Sequence, residues 1–150
     1  MKSLAPFILA AAAVTLSAPA SAQFAKPEDA IKYRQSVMTV MASHFGRVAA
    51  MANGRIPFNA QAAADNVAIA ETMSKLPWQA FVPGSEAGNS KALPTIWTDA
   101  AKFKTAQDNM LGEMNKLAVA AKGGNIDAIK AAVGATGGTC KACHDAFWKQ

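Results

Sequence analysis

Residues 125–147 read NIDAIKAAVGATGGTCKACHDAF. Within this stretch Ile126, Ile129, Val133, Thr136, Cys140, Cys143 and Phe147 recur at alternating spacings of three and four. That period lays all seven on one face of a helix, so the segment predicts an amphipathic helix packed against neighbours. Asn125 stands where its side chain can accept a bond from a free amide one turn in, and Asp127 places a negative charge at the helix start. Three glycines, Gly134, Gly137 and Gly138, lie inside the helix and weaken it by roughly 1 kcal/mol each relative to alanine. A flat group packed closely against the backbone is the expected compensation. The same register carries Cys140 and Cys143 onto the buried face, with His144 directly beside them, so that thiols and imidazole are expected to face inward together.

Moving outward, the chain is broken at Asn53-Gly54-Arg55-Ile56-Pro57, through the Pro-rich stretch from Leu76 to Pro94, and at Lys122-Gly123-Gly124-Asn125. Between the breaks lie segments of about 28–52, 59–76, 96–121 and 126–149. The first repeats the seam with Ile31, Arg34, Met38, Met41, Phe45, Val48 and Ala52, led by Pro27, Glu28 and Asp29. The third carries Ile96, Ala100, Phe103, Gln107, Met110, Met114, Leu117 and Ala121, read as one continuous helix. The second offers a small-residue stripe of Ala63, Val67, Ala70 and Met73. Apolar alternation with period two never persists, so no strand is predicted. The fold class is all-α, an antiparallel up-down-up-down four-helix bundle with the seams as its core.

Cys140 and Cys143 are the only cysteines, and they are followed at once by His144, one of two histidines. Three chemistries use such a set. A redox dithiol wants its first sulfur exposed at a helix start that follows a strand, and no strand precedes this one. Zinc wants three or four protein ligands, and adjacent residues supply them only in strained geometry, with His44 far away in sequence. The spacing Cys140-Lys141-Ala142-Cys143-His144 is C-x-x-C-H, the attachment pattern of a c-type haem. Two thiols one helix turn apart add across the two vinyl groups of one porphyrin edge, and the next residue offers imidazole to the iron. A disulfide between them would close a tiny loop and remove little unfolded-chain entropy.

The start of the chain fits covalent attachment outside the cytoplasm. Met1-Lys2-Ser3 is a short positive start, Leu4 to Leu16 is apolar and too short to span a bilayer, and Ala20-Ser21-Ala22 is a small-x-small cleavage site. Residues 1–22 are therefore read as a signal peptide and 23–150 as one domain, in a secreted protein of a bacterial periplasm with no membrane insertion. The formal net charge of +5 is spread singly rather than in stripes, which speaks against nucleic acid as a partner.

With "KYRQS" (32–36), "LPWQAF" (76–81), "KALPTIWTDAAKF" (91–103) and "GGTCKACHDAF" (137–147) in place, the chain resembles the cytochrome c′ family over nearly its whole length after residue 22. The C-x-x-C-H at the end, rather than near the start, is the class II arrangement. The resemblance implies one haem c per chain, with thioethers at Cys140 and Cys143, His144 as axial ligand, and a five-coordinate high-spin iron with one apolar open face. It also implies a homodimer that binds nitric oxide and carbon monoxide and passes single electrons to an unidentified periplasmic redox partner. Arg34 and Gln35 are then expected near the haem propionates, with Ser90 and Lys91 as further contacts where relatives often carry Thr-Glu. Trp148 stands four positions after His144, where many relatives have a basic residue, so a proximal donor is missing.

Arg34 also asks for a partner on its own account, because a charge on a buried seam is costly unless paired. Met38, one turn further along at about 6 Å of rise, is placed to overhang the iron. As an apolar lid it leaves the iron open; as a thioether ligand it gives the alternative, a low-spin His/Met electron-transfer cytochrome of the c-556 type. His44 is read as a partly exposed structural histidine, and Trp78, Phe81 and Trp97 as ordinary core or, alternatively, walls of the pocket. An enzyme that activates bound ligand would need a polar acid/base pair above the iron, and the first seam offers only Met38 and Met41 there. The chain is accordingly not read as an enzyme.

Overall fold

The structure is a computed structural model that describes residues 23–149, and the leader expected over residues 1–22 lies outside them. Four long helices make up the body: α1 (Pro27–Ala52), α2 (Ala60–Ser74), α4 (Ala100–Gly123) and α5 (Ile126–Phe147). A 3-10 turn (Pro77–Ala80) and the short α3 (Thr95–Thr98) lie in the connection between α2 and α4. Each long helix packs against its chain neighbour, and α1 meets α5 to close the ring, which is the antiparallel up-down-up-down four-helix bundle. Among the described residues no helix is long and apolar enough to cross a membrane.

The helix ends follow from local chemistry. Pro27 opens α1, with Glu28 and Asp29 in its first turn where they oppose the positive end of the dipole. Asn59 and Asn125 cap α2 and α5 by accepting from the Ala62 and Ala128 amides, at 2.8 and 2.9 Å. Gly124 ends α4 with φ 70°, the left-handed conformation that glycine adopts without penalty.

One boundary departs from the sequence reading. The helix expected over 96–121 is interrupted: Asp99 leaves helical geometry at φ −129°, ψ 60°, and its carboxylate accepts from the Lys102 amide to start α4 anew. An acidic residue with a free amide three positions on offers the chain a cap that competes with continuing the helix. Ile96 is buried all the same, held by the turn of α3 rather than by α4.

Most of the buried apolar side chains fall into two clusters. The larger joins all four long helices through residues such as Met41, Val48, Val67, Met114, Leu117 and Ile129, with Met38, Phe45 and Cys140 packed partly buried against it. The smaller comprises Ala92, Ile96 and Phe147, flanked by half-buried Phe81, Trp97, Phe103 and Cys143. It lies at the end of the bundle where α5 finishes and the middle segment crosses over.

Gly134 and Gly138 leave open space beside α5. A Cβ built on Gly134 or Gly138 meets nothing within 4 Å, and only at Gly137 would one meet a side chain, Phe45 Cζ at 3.9 Å. No protein group packs tightly on the backbone there, so the protein itself supplies no close-packed compensation at Gly134 or Gly138.

Candidate cofactor site

Cys140 and Cys143 sit one turn apart on α5 as free thiols, both partly buried. Cys140 faces the larger cluster and Cys143 the smaller, so the pair straddles the junction of the two apolar regions. Burial pushes both thiols up from their ordinary range, with the neighbouring Cys140 adding to the effect at Cys143. At neutral pH they are thiols rather than thiolates. A cleft of about 240 Å³ beside Cys143 runs between α4 and α5, lined by Lys102, Thr105, Ala106, Thr139 and Ala146 among others.

His144 corrects the expectation that it faces inward with the cysteines. Its side chain is exposed. A helix turns by about 100° per residue, so His144 does not share the direction of Cys143 and stands at the solvent edge of that face. The ring packs edge to face with Trp148, centroids 4.6 Å apart. Partial desolvation holds the imidazole below its ordinary pKa, against the opposing pull of Asp145.

Arg34 is 4% exposed and is already satisfied by protein. Its guanidinium donates to Ala80 O at 2.8 Å, Ser85 Oγ at 2.6 Å and Ser90 Oγ at 2.8 Å, and also to Ser85 O. The same group lies over the Phe81 ring, 4.7 Å from its centroid. Desolvation lowers its pKa while the charge of Glu86 raises it. Arg34 therefore neither snorkels outward nor waits unpaired; it pins the middle segment onto α1.

The other expected contacts gather on the same segment. Gln35 is exposed and donates to Asn89 O at 3.0 Å. Ser90 is buried, accepting from Arg34 and from the Ala92 amide. Lys91 is exposed and holds its ammonium 5.3 Å from the centroid of the Trp148 ring. Residues 91–93 are in turn clipped to the end of the chain: Leu93 N donates to Phe147 O at 2.9 Å and Lys149 N to Lys91 O at 2.8 Å, around an antiparallel bridge between Ala92 and Trp148. One network thus joins Arg34 and Gln35 on α1, Ser90 and Lys91 in the middle segment, and His144 on α5. Trp148 is its link to His144, and sequence reasoning missed that link. The His-x-x-x-Trp spacing could have suggested it, since residues four apart are neighbours on a helix.

The remaining candidates divide. Trp78, Phe81 and Phe103 form an aromatic run that continues to Phe147 at 5.3 Å, and the Trp78 and Trp97 indoles donate to Ser74 O and Phe81 O. Met38 packs half-buried against the larger cluster, as Cys140 does. His44 is turned away towards α2, its Nδ1 2.8 Å from Asn66 Oδ1, which is the structural role expected of it.

A family model described as cytochrome C′ matches residues 29–148. The chain belongs to the cytochrome c′ family. Cytochrome c′ from Rubrivivax gelatinosus is 56% identical over 126 residues, covering 83% of this chain and 98% of the relative. That from Alcaligenes xylosoxydans xylosoxydans is 50% identical over 128 residues, covering 85% and 99%. The crystal structure of the Rubrivivax gelatinosus cytochrome c′ superposes with a TM-score of 0.83 at 55% identity, over 85% of this chain and all of that one. A nitric oxide complex and a carbon monoxide-bound form of Alcaligenes xylosoxidans cytochrome c prime variants each give 0.81 at 50% identity, over 85% of this chain and 100% of theirs.

Members of the cytochrome c′ family bind covalent haem c, and this chain carries the cysteine pair for it. The donor set fits the group: two free thiols one turn apart, an imidazole on the next residue, apolar and aromatic side chains on either side of the pair, and the amide of Gln35 on α1 beside the ammonium-bearing segment of Lys91.

Proposed function

We propose that the protein is a periplasmic electron-transfer cytochrome whose haem iron is five-coordinate, high-spin and open to small neutral gases on the side that faces α1. Cys140 and Cys143 hold the haem as thioethers, and His144 is its protein ligand. The observation that carries this reading is the company of Cys140: it packs into the cluster that also takes Met38, Met41 and Phe45 from α1. A planar group tethered there meets thioether, methyl and phenyl surface. The nearby polar side chains of α1 are engaged elsewhere, Arg34 with the middle segment and His44 with Asn66. When bound, haem c supplies an iron that changes charge by one electron and takes up a diatomic ligand. The residues around it exclude water and offer no proton, which suits reversible binding and electron transfer rather than bond cleavage.

The propionates belong at the rim formed by Gln35 and Lys91. Arg34 has four of its five N–H donors committed to Ala80, Ser85 and Ser90, so only its Nε–H is free to reach them. The domain runs from residue 23, after removal of the leader. We extend the proposal to a homodimer through the outer face of α1 and α2, where Val40 and Ile69 are both exposed. Val40→Glu together with Ile69→Glu is expected to leave a monomer in sedimentation at concentrations where the unaltered chain is a dimer.

The second reading, a low-spin His/Met site, is favoured by the same half-buried Met38, which packs against the cluster that Cys140 also borders. Optical spectra of the holoprotein and of Met38→Ala decide between them. The open site gives high-spin ferrous bands, rapid carbon monoxide uptake, and a Met38→Ala variant that is still high-spin and binds faster. A sulfur-to-iron charge-transfer band in the ferric protein that disappears in Met38→Ala would instead establish the thioether ligand.

A further inference from the structure

We infer that Trp148 is a positioning residue for His144, fixing the orientation of the imidazole and covering its solvent side; this rests on the proposed role of His144 as the haem ligand.

A ligating histidine on an exposed helix surface has a problem that a buried one does not. Its ring turns about the Cβ–Cγ bond through a broad, weakly hindered range, and water reaches its free nitrogen. Ligating histidines elsewhere are held by a hydrogen bond from the second ring nitrogen to a carboxylate, a carbonyl or water. Here His144 has no such protein hydrogen bond among the described residues. The contact it does have is the Trp148 ring, 4.6 Å away at an interplanar angle of 65°.

That ring is not a loose surface side chain that happens to touch, although Trp148 is 42% exposed. Trp148 has left helical geometry, at φ −129° and ψ 135°, while its amide still donates to His144 O at 3.1 Å. Its backbone is pinned on the other side by the bridge to Ala92 and by the bonds from Leu93 N to Phe147 O and from Lys149 N to Lys91 O. The Lys91 ammonium lies over the indole, an attraction between a cation and the negative face of the ring. Backbone pairing therefore sets where the indole stands, Lys91 holds it there, and edge-to-face packing transmits the constraint to the imidazole. Because Ser90 next to Lys91 is bonded to Arg34, the ligand's orientation is tied through the middle segment to α1.

The iron–histidine stretching band of the ferrous holoprotein, read by resonance Raman, tests this directly. Trp148→Leu keeps an apolar cover without an aromatic edge and is expected to broaden and shift the band as the ring samples several orientations. Trp148→Phe restores an aromatic edge and is expected to return the band close to its original width. A Trp148→Leu band superimposable on the unaltered one overturns the inference, as does a Trp148→Phe band no narrower than that of Trp148→Leu. His144→Gly separates the two layers: a band that persists there removes His144 as the ligand, whereas a band lost there but indifferent to Trp148 removes only the positioning role.

Discussion

Arg34 shows how far a single residue can be read without its surroundings. A charged side chain on a buried helical seam had to have a partner, and that much is physics. Which partner it has depends on a segment without periodicity, residues 80–90, whose turns bring Ala80 O, Ser85 and Ser90 around the guanidinium. Nothing in the spacing of that segment announces where its carbonyls point. The energetic consequence is now specific. Arg34→Ala leaves the Ala80 and Ser85 carbonyls buried without donors, and the loss is expected to be on the order of 3 kcal/mol. Arg34→Lys keeps the charge but has three donors for four acceptors and no planar fork to span them, so it should recover only part of this. Denaturant unfolding of the holoprotein checks both: the midpoint should fall in the order unaltered, Lys, Ala, with the slope unchanged. Equal stability of the Lys variant and the unaltered protein would mean that the fork geometry is irrelevant. His144 makes the complementary point, for the motif identified its chemistry while its place about 100° round the helix from Cys143 leaves its side chain exposed.

At the scale of the helix, the seams of α1 and α5 were legible because three-four spacing leaves little freedom once one face is buried. Ile31, Arg34, Met41, Val48 and Ala52 on α1, and Ile129, Val133, Thr136 and Phe147 on α5, are buried as their register requires. The break between α3 and α4 was less legible, because the apolar spacing continues across it while a local carboxylate stops the helix; periodicity reports burial and capping reports ends, and at Asp99 the two disagree. Gly134 offers a clean test of helix economy. It lies in the interior of α5 on the exposed side, and a Cβ there meets nothing within 4 Å. Gly134→Ala should therefore stabilise the protein by about 0.5–1 kcal/mol through helix propensity alone. The converse change at the start of the same helix, Asn125→Ala, removes the bond to the Ala128 amide and should cost about 1 kcal/mol. Thermal unfolding of the two variants is expected to move in opposite directions from the unaltered midpoint. A destabilised Gly134→Ala protein would show that the open space beside Gly134 is occupied when haem is in place.

For the whole molecule, the two ends of the bundle are built differently. In the larger cluster, which Cys140 borders, Val48, Val67, Met114, Leu117 and Ile129 are essentially inaccessible and pack together. At the cysteine end the apolar cluster is small, with Ala92, Ile96 and Phe147 as its buried members, and Phe81, Trp97 and Phe103 remain half-covered. Up-down order was readable from three interruptions between four seams, but this asymmetry was not, since it arises from how the middle segment folds over the end of α5. Apolar burial stabilises by roughly 25 cal/mol per Å², so rings left half-covered contribute less than they could, and a planar apolar group fixed at Cys140 and Cys143 is positioned to cover them. Local stability should then depend on the cofactor at one end and not at the other. Native-state hydrogen exchange on the holoprotein and on a Cys140→Ser/Cys143→Ser chain checks this. Amides of residues 77–99 and 140–149 are expected to exchange at least about tenfold faster in the cysteine-free chain, a local loss of about 1.4 kcal/mol, while those of Val48, Val67, Leu117 and Ile129 change much less. A uniform acceleration across all four long helices would show instead that the bundle is a single cooperative unit held from the haem outward, and that the larger cluster has no independent stability.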